Sequence, residues 1–176
     1  GREARRRGLP GEPTSATVDG DYIWYTVDNR RLFRQSGNGR PQEIRIPGLK
    51  ADISDVKIFP GDRQVALADR LGNVTIIDAT SGKTRLRAAS PRPMPGSEDF
   101  YLFIDNEGMI WVFSVAGVDI LDPASGKWSA HPIPETLRAI AVKSIAQDND
   151  GNIWIGTDNH GIAILHKDGT AETLLN

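Results

Sequence analysis

The sequence predicts an all-β protein built from repeated four-stranded sheets, and three observations lead to this prediction. The 176 residues include 18 glycines and 11 prolines, a content typical of chains that turn every few residues. Similar segments recur at a regular spacing along the chain. The second strand of each repeat is apolar on both faces, which indicates a sheet that is covered on both sides.

The clearest repeated unit is a turn that follows an apolar strand. Asp78–Lys83 (DATSGK) recurs as Asp122–Lys127 (DPASGK), 44 residues later. The apolar strands before these turns keep the spacing, since Val74–Ile77 corresponds to Val118–Leu121 and then to Ile162–Leu165. A constant spacing between a strand and its turn indicates that a whole structural unit is repeated.

A second marker ends in tryptophan. Asn106–Trp111 (NEGMIW) corresponds to Asn149–Trp154 (NDGNIW), and Asp19–Trp24 (DGDYIW) has the same form. The tryptophans are therefore expected to fill the space between adjacent sheets. The spacing predicts the missing copy of the second repeat at Leu67, 44 residues before Trp111.

The last repeat shows the expected sheet most clearly. Its strands are predicted at 142–148, 152–157, 161–166 and 170–174, separated by turn residues that accept positive φ. Four-stranded sheets of about 40 to 45 residues, stacked face to face, are blades of a β-propeller. We predict four blades of four antiparallel strands at 16–48, 53–90, 99–134 and 142–176, with 1–15 as a leader or the remnant of a preceding blade.

Composition excludes several classes of protein. The chain is 39% hydrophobic and 25% charged, with a formal net charge of -2, so no overall charge favours nucleic acid or an acidic membrane surface. It has no cysteine, which excludes a disulfide framework, a thiol nucleophile and a Cys-ligated zinc. No apolar run reaches the roughly 20 residues of a membrane-spanning helix, and no signal peptide is present. Helical patterning is confined to 135–142.

The segment Asp148–Asn152 (DNDGN) invites a calcium interpretation, which its spacing does not support. In an EF-hand loop numbered from Gly151 at position 6, positions 1 and 12 are Ala146 and Thr157, and neither supplies the required carboxylate. The segment is therefore expected to form a tight turn. Gly37–Gly39 (GNG) lacks a following helix and is interpreted as a hairpin loop rather than a phosphate-binding loop.

Three histidines and a basic run are the other candidates for chemistry. His131, His160 and His166 have no partner at ligand spacing, so no catalytic residue and no metal site are assigned. His160 is the residue to test for catalysis, because it lies in a repeat similar to that of propeller lyases of the virginiamycin B type. A short basic run near the start of the sequence comprises Arg2, Arg5, Arg6 and Arg7. It lacks interleaved aromatic residues, which argues against nucleic-acid binding, and we expect it to be the solvated end of a preceding blade.

The last repeat resembles the two-component regulator propeller repeat. That motif is close to V-x-x-I-x-x-D-x-x-G-x-[IL]-W-I-G-T followed by a glycine-led strand. Here it is filled by Val142, Ile145, Asp148, Gly151, Ile153, Trp154–Thr157 and Gly161-Ile162. The resemblance is partial at Asp105–Ser114, where WVFS replaces WIGT, and weak in the first two repeats.

The resemblance implies a fold and a function. Such repeats form seven-bladed propellers in the periplasmic part of hybrid sensor histidine kinases of Bacteroides-type bacteria, which detect saccharides. We therefore expect a periplasmic, non-catalytic sensing segment that responds to oligosaccharides, uses no cofactor and makes no membrane contact itself. The kinase module would lie outside this chain, and the receptor would be a homodimer. Four blades do not easily close a seven-fold ring, so we expect further blades or a second chain to cover the ends, or closure as a four-bladed ring.

Two other functions stay open, and the ligand site is not located. A propeller enzyme of the lyase or lactonase type would need metal ligands or a His/Glu pair at the channel, and a pure interaction scaffold is compatible with the fold. Saccharide sites usually combine an aromatic platform with polar groups. The aromatic candidates are Tyr22, Tyr25, Tyr101 and Trp128, the last expected at the rim of its blade.

Overall fold

The computed structural model describes residues 10–59, 63–93, 99–133, 142–158 and 160–174, and in this part of the chain every regular element is a β-strand. The first sheet contains β1 (Pro13–Asp19), β2 (Tyr22–Val27), β3 (Arg31–Ser36) and β4 (Gln42–Ile44). The second contains β5 (Ile53–Ile58), β6 (Gln64–Asp69), β7 (Val74–Asp78) and β8 (Thr84–Ala88). The third contains β9 (Tyr101–Ile104), β10 (Ile110–Ser114), β11 (Gly117–Asp122) and β12 (Lys127–His131). The fourth contains β13 (Val142–Gln147), β14 (Ile153–Thr157), β15 (Ile162–Leu165) and β16 (Ala171–Leu174).

The sheets are arranged as blades around an axis. In each sheet the strands follow chain order, and each strand pairs antiparallel with the next. The first strands of successive sheets lie side by side, β1 beside β5, β5 beside β9 and β9 beside β13. These strands are therefore innermost and the fourth strands lie at the rim, which confirms the prediction of an all-β propeller fold with four four-stranded blades.

The hydrophobic core lies between the blades. We call the face of a blade that is turned to the next blade in the chain its front face, and the opposite face its back face. Front-face Trp24 and Leu32 of the first blade pack in one cluster with back-face residues of the second. Front-face Trp111 and Phe113 of the third blade pack in the same way with Ile153 of the fourth. The expected role of tryptophan between blades is thus confirmed for Trp24 and Trp111.

The second blade departs from the predicted register by one residue. Trp111 pairs with Phe103 on the innermost strand, and the corresponding pair in the second blade is Lys57 with Ala66. Leu67 lies on the back face, in the cluster shared with the first blade, so its prediction as the counterpart of Trp111 is wrong. The β6–β7 turn, closed by the pairing of Asp69 with Asn73, is one residue longer than the β10–β11 turn, closed by Ser114 and Gly117. Strand β7 keeps the 44-residue spacing to β11, so the extra residue displaces β6 by one position and reverses the faces of its side chains.

Phenylalanines supply the aromatic volume that the second blade lacks. Ala66 and Ala68 are the front-face residues of β6, and they share a cluster with Phe59 and Phe100. Both phenylalanines are buried. The interface between the second and third blades is therefore closed by side chains outside the repeated tryptophan position, as close packing requires.

The aspartate of the repeat motif organises the turn before Trp111 and before Trp154. Asp148 accepts hydrogen bonds from the backbone N–H of Asp150 and Asn152 and from the Trp154 indole, whose Nε1 lies 2.8 Å from Oδ2. Asp105 accepts the Trp111 indole N–H at 2.7 Å in the same way. The indole hydrogen bond holds the pKa of Asp148 down to about 2, since it favours the ionised form. The tight-turn interpretation of this segment is confirmed.

The repeated SGK turns have their own aspartate. Asp78 accepts hydrogen bonds from the Thr80 and Ser81 backbone and from Arg85, and the Arg85 bond is the main cause of a pKa far below the usual range. Gly82 has a φ of 71° and its counterpart Gly126 a φ of 70°. Glycine is suited to these turns because other residues adopt this left-handed backbone only at a cost.

The two end blades each present apolar side chains to solvent. On the front face of the fourth blade Ile162 is 42% exposed and Leu174 47% exposed, beside the half-buried Trp154. On the back face of the first blade Val18 is 64% exposed and Ile23 43% exposed. No sheet formed by the described residues covers either face.

Several predictions concern residues beyond the described ranges. The basic run at 2–7 and most of the helical segment at 135–142 lie outside them. β1 begins at Pro13, three residues before the expected start of the first blade. Among the described residues no helix is long and apolar enough to cross a membrane.

Candidate functional site

One position on the innermost strand recurs in all four blades and faces the propeller axis. Counted from the tryptophan position by strand pairing, it is occupied by Ser15, Asp55, Tyr101 and Ser144. The pairing of β1, β5 and β13 shifts register immediately before this residue. Such irregularities re-aim side chains at the edge of a sheet. The four residues form one level of the channel wall.

Asp55 joins three blades at this level. Asp55 is only 6% exposed and lies between the buried Ile53 and Val56. Oδ1 accepts the Ser15 hydroxyl of the first blade at 2.8 Å, and Oδ2 accepts the Leu102 backbone N–H of the third blade at 2.9 Å. Oδ1 also accepts the N–H of Val56, and the ammonium of Lys57 lies 3.3 Å away. The carboxylate thus has partners for the charge that burial would otherwise disfavour.

Tyr101 lies next to Asp55 over a cavity of about 140 Å³ along the axis. The cavity is lined by side chains from β5, β9 and β13, including Lys57, Phe103, Lys143 and Ser144. Tyr101 is 36% exposed, which leaves its ring available to a ligand. Lys143 is also largely exposed and pairs with Asp158 at 3.2 Å.

The channel wall combines an aromatic ring with hydrogen-bond donors and acceptors. Tyr101 offers a flat apolar surface and a hydroxyl, Lys57 and Lys143 offer ammonium donors, and Ser144 offers a hydroxyl. A surface of this kind can bind a polar ring-shaped ligand, with the aromatic ring beneath it and charged hydrogen bonds around it.

The structure separates the four aromatic candidates. Tyr101 is at the channel. Tyr22 is 41% exposed but lies on β2, where the guanidinium of Arg34 sits 5.2 Å from its ring centroid. Tyr25 is 4% exposed on the back face of the first blade, and burial raises the pKa of its hydroxyl. Trp128 lies on the rim strand β12 and packs against the cluster between the second and third blades, as expected.

The histidines lie away from the channel cavity, His160 at the β14–β15 turn and His131 and His166 between the third and fourth blades. The exposed His160 contacts the carbonyl oxygen of Asp158 through Nδ1 at 2.8 Å. His131 packs against Trp111, and His166 lies 3.5 Å from the carboxylate of Glu172. In the described ranges no group of three or more His, Cys, Asp or Glu side chains is placed to hold a metal ion.

The channel residues other than Tyr101 were not singled out from the sequence. The sequence does contain an indication of the role of Asp55, because a carboxylate between the apolar residues Ile53 and Val56 of a strand requires a partner when it is buried. Its partners come from blades 40 and 47 residues away along the chain, so their identity was not accessible to spacing. Lys143 and Ser144 occupy the two variable positions that follow Val142 in the repeat motif.

Comparison with known proteins supports this fold and the resemblance of the last repeat. Residues 136–159 match the model of the two component regulator propeller family. A curated relative, the photosystem II assembly lipoprotein Ycf48 of Prochlorococcus marinus, is 25% identical over 170 residues, which cover 93% of this chain and 48% of that protein. The similarity to the regulator propeller repeat, inferred from the motif, is thereby confirmed.

Several solved propeller structures are similar to this chain over part of their own length. Virginiamycin B lyase from Staphylococcus aureus superposes with a TM-score of 0.76 at 18% identity, over 93% of this chain and 55% of the lyase. The extracellular domain of a putative hybrid two component system from B. thetaiotaomicron gives 0.72 at 19% identity, over 99% of this chain and 23% of that chain. At these identities the likeness shows the fold. The chain spans about half the length of its curated relative and of the lyase.

Proposed function

We propose that this chain is part of an extracytoplasmic, ligand-sensing propeller, and that this propeller belongs to a two-component signal transduction receptor. The observation that carries the proposal is the regulator propeller repeat at 136–159. This repeat contains strand β13, whose residues line the channel cavity. The likeness to the extracellular domain of a hybrid two component system supports it. The phosphotransfer modules would be supplied by other segments of the receptor.

We propose oligosaccharides as the ligands and the channel wall around Tyr101 as their contact. Sugar rings place their apolar C–H face on an aromatic ring and their hydroxyls on charged or polar groups, and Tyr101, Lys57 and Lys143 offer both. The proposed role is binding rather than catalysis, in keeping with the regulator propeller repeat at 136–159.

Isothermal calorimetry with a broad panel of oligosaccharides tests this function. We expect heat of binding from at least one glycan, reduced at least about tenfold in affinity by Tyr101→Ala, since aromatic contacts carry much of the energy at binding sites. Tyr22→Ala is the matched control, because Tyr22 is comparably exposed but lies outside the channel. Silence across the panel, or equal losses for both variants, would contradict the proposal.

Further blades are proposed to cover the open faces. The front face of the fourth blade repeats the arrangement of Trp24 and Trp111, both covered by a following blade, and leaves Ile162 and Leu174 exposed. We propose that additional blades complete a seven-bladed ring in the receptor, which dimerises as a whole. Light scattering that finds these residues alone as a stable, well-behaved monomer would argue against this.

A propeller lyase is the second candidate function, and the likeness to virginiamycin B lyase favours it. His160 would then be the catalytic residue, and its exposed ring is accessible at the β14–β15 turn. The discriminating assay is turnover of virginiamycin B by the protein and by His160→Ala. Turnover that is lost in the variant would replace the sensing proposal, and absence of turnover alongside glycan binding supports it.

A further inference from the structure

A second cavity, of about 270 Å³, opens between the third and fourth blades. It lies at the end of the sheets where the β9–β10, β13–β14 and β15–β16 turns meet, and it shares no lining residue with the channel cavity. We call it the interblade cleft. Its wall is formed from the two blades together, so it is a feature of their packing rather than of either sheet alone.

The floor of the interblade cleft is aromatic and apolar. The imidazole of His131 packs against the Trp111 indole with 5.3 Å between ring centroids and 39° between ring planes. The Trp111 indole is held in place by its hydrogen bond to Asp105, a buried residue that is only 7% exposed. Met109 and Leu165 extend the apolar surface. A rigid ring floor of this kind suits the flat face of a cyclic ligand.

Hydrogen bonds set the tautomers of both histidines of the interblade cleft. His131 Nδ1 lies 2.7 Å from the carbonyl oxygen of Pro132, which can only accept, so Nδ1 carries the hydrogen. Asn152 donates its amide N–H to Asp148 at 2.9 Å, and its oxygen therefore faces His166 Nδ1 at 3.1 Å. In the neutral ring of His131, Nε2 is left as a hydrogen-bond acceptor, whereas Nε2 of His166 faces the Glu172 carboxylate at 3.5 Å.

Charges of both signs stand at the mouth of the interblade cleft. Lys167 of the fourth blade donates to Glu107 of the third blade at 2.5 Å. This bond lowers the pKa of Glu107 and raises the pKa of Lys167, so both groups are ionised at neutral pH. Gln147 adds an amide that already reaches across to the backbone N–H of Asn106 at 2.8 Å. The cleft thus offers acceptors and donors side by side.

The presence of an ammonium group and carboxylates side by side in the interblade cleft disfavours charged ligands. An anion next to Lys167 would also meet Glu107 and Asp105, and a cation next to these carboxylates would meet Lys167. A neutral ring with several hydroxyls can donate to the carboxylates and to Nε2 of His131 and accept from the ammonium, since each hydroxyl does both. We propose that the interblade cleft binds a neutral polyhydroxylated ring of hexose size, at a site independent of the channel.

The Trp111 indole N–H is a site-specific reporter of this binding. In a ¹H–¹⁵N spectrum its resonance is assigned by its loss in Trp111→Phe, and glucose, galactose, mannose and inositol are titrated in turn. We expect at least one of these rings to shift the resonance saturably. Glucosamine and glucuronate, which present a similar ring with a positive or a negative charge, are expected to bind more weakly.

Two variants locate the site. His131→Ala removes part of the floor, and Glu107→Gln, on an exposed side chain, removes an acceptor without disturbing the core. Each is expected to weaken binding by about tenfold, the loss typical of one hydrogen bond to a charged group. Tyr101→Ala should leave the Trp111 shift intact, which separates failure of this site from failure of the channel site. The proposal is overturned if no neutral ring moves the Trp111 resonance, if a charged analogue binds more tightly, or if Glu107→Gln has no effect.

Discussion

Asp55 makes the sharpest test of how the innermost strands hold the blades together. Replacement by alanine leaves the Leu102 N–H, in a residue 1% exposed, without its carboxylate acceptor. An orphaned buried N–H costs about 2 kcal/mol, and loss of the Ser15 bond adds about 1 kcal/mol. We therefore expect Asp55→Ala to lower the free energy of unfolding by about 3 kcal/mol.

A surface aspartate three residues earlier, immediately before β5, gives the matched control. Asp52 pairs with Arg30 at 2.6 Å, but its side chain is 36% exposed and that of Arg30 is 74% exposed. Exposed ion pairs contribute little, so Asp52→Ala should change stability by less than about 0.5 kcal/mol. Asp55→Asn, which keeps the shape and one acceptor, should fall between the two.

Urea denaturation followed by tryptophan fluorescence measures these differences. The comparison requires an unchanged slope of free energy against urea, so that shifts of the midpoint report stability alone. If Asp55→Ala and Asp52→Ala prove equally destabilising, the carboxylate does not join the blades and the account of the channel wall is wrong.

Three further outcomes are expected. Trp111→Phe should lower the free energy of unfolding by about 2 kcal/mol in urea denaturation, because it leaves the buried Asp105 carboxylate without its indole donor. Trp154→Phe should cost less, since Trp154 is half-buried, and equal costs for the two variants would contradict this reasoning. Asp148 has a lowered pKa of about 2, so the stability it contributes is complete above about pH 4 and is lost as pH falls towards 2; the Trp154 indole resonance should follow this titration, and a midpoint near 4 would refute it. Gly108 has a φ of 79° and open space where a Cβ would lie, so Gly108→Ala should cost about 1 kcal/mol and Gly108→Asn less, as measured by the same denaturation assay; equal effects would show that backbone conformation is not the cause.

The turn before each tryptophan was predictable because all its partners are local. Asp148, Gly151 and Trp154 lie within seven consecutive residues, and the hydrogen bonds among the turn residues and the indole depend on that spacing alone. The same holds for the strand boundaries of the fourth blade, which differ from the prediction by no more than one residue at each end.

The register of the second blade was not predictable from the repeat spacing. One extra residue in the β6–β7 turn places Ala66, rather than Leu67, at the position that corresponds to Trp111, opposite Lys57 and Ile76. Side chains alternate between the two faces of a strand, so a displacement of β6 by one residue reverses the face of each of its side chains. The repeat period of the neighbouring blades contains no information about the length of this particular turn.

The amino-acid sequence by itself determined the class of fold, because alternating apolar residues and turn formers act over distances of a few residues. The contacts that cross between blades were decided only by the tertiary structure. Asp55 meets Ser15 and Leu102, and Glu107 meets Lys167, through strands that are remote along the chain. Local pattern specifies each sheet, whereas the placement of one sheet on the next depends on packing the whole interface, and the channel cavity and the interblade cleft are products of that packing.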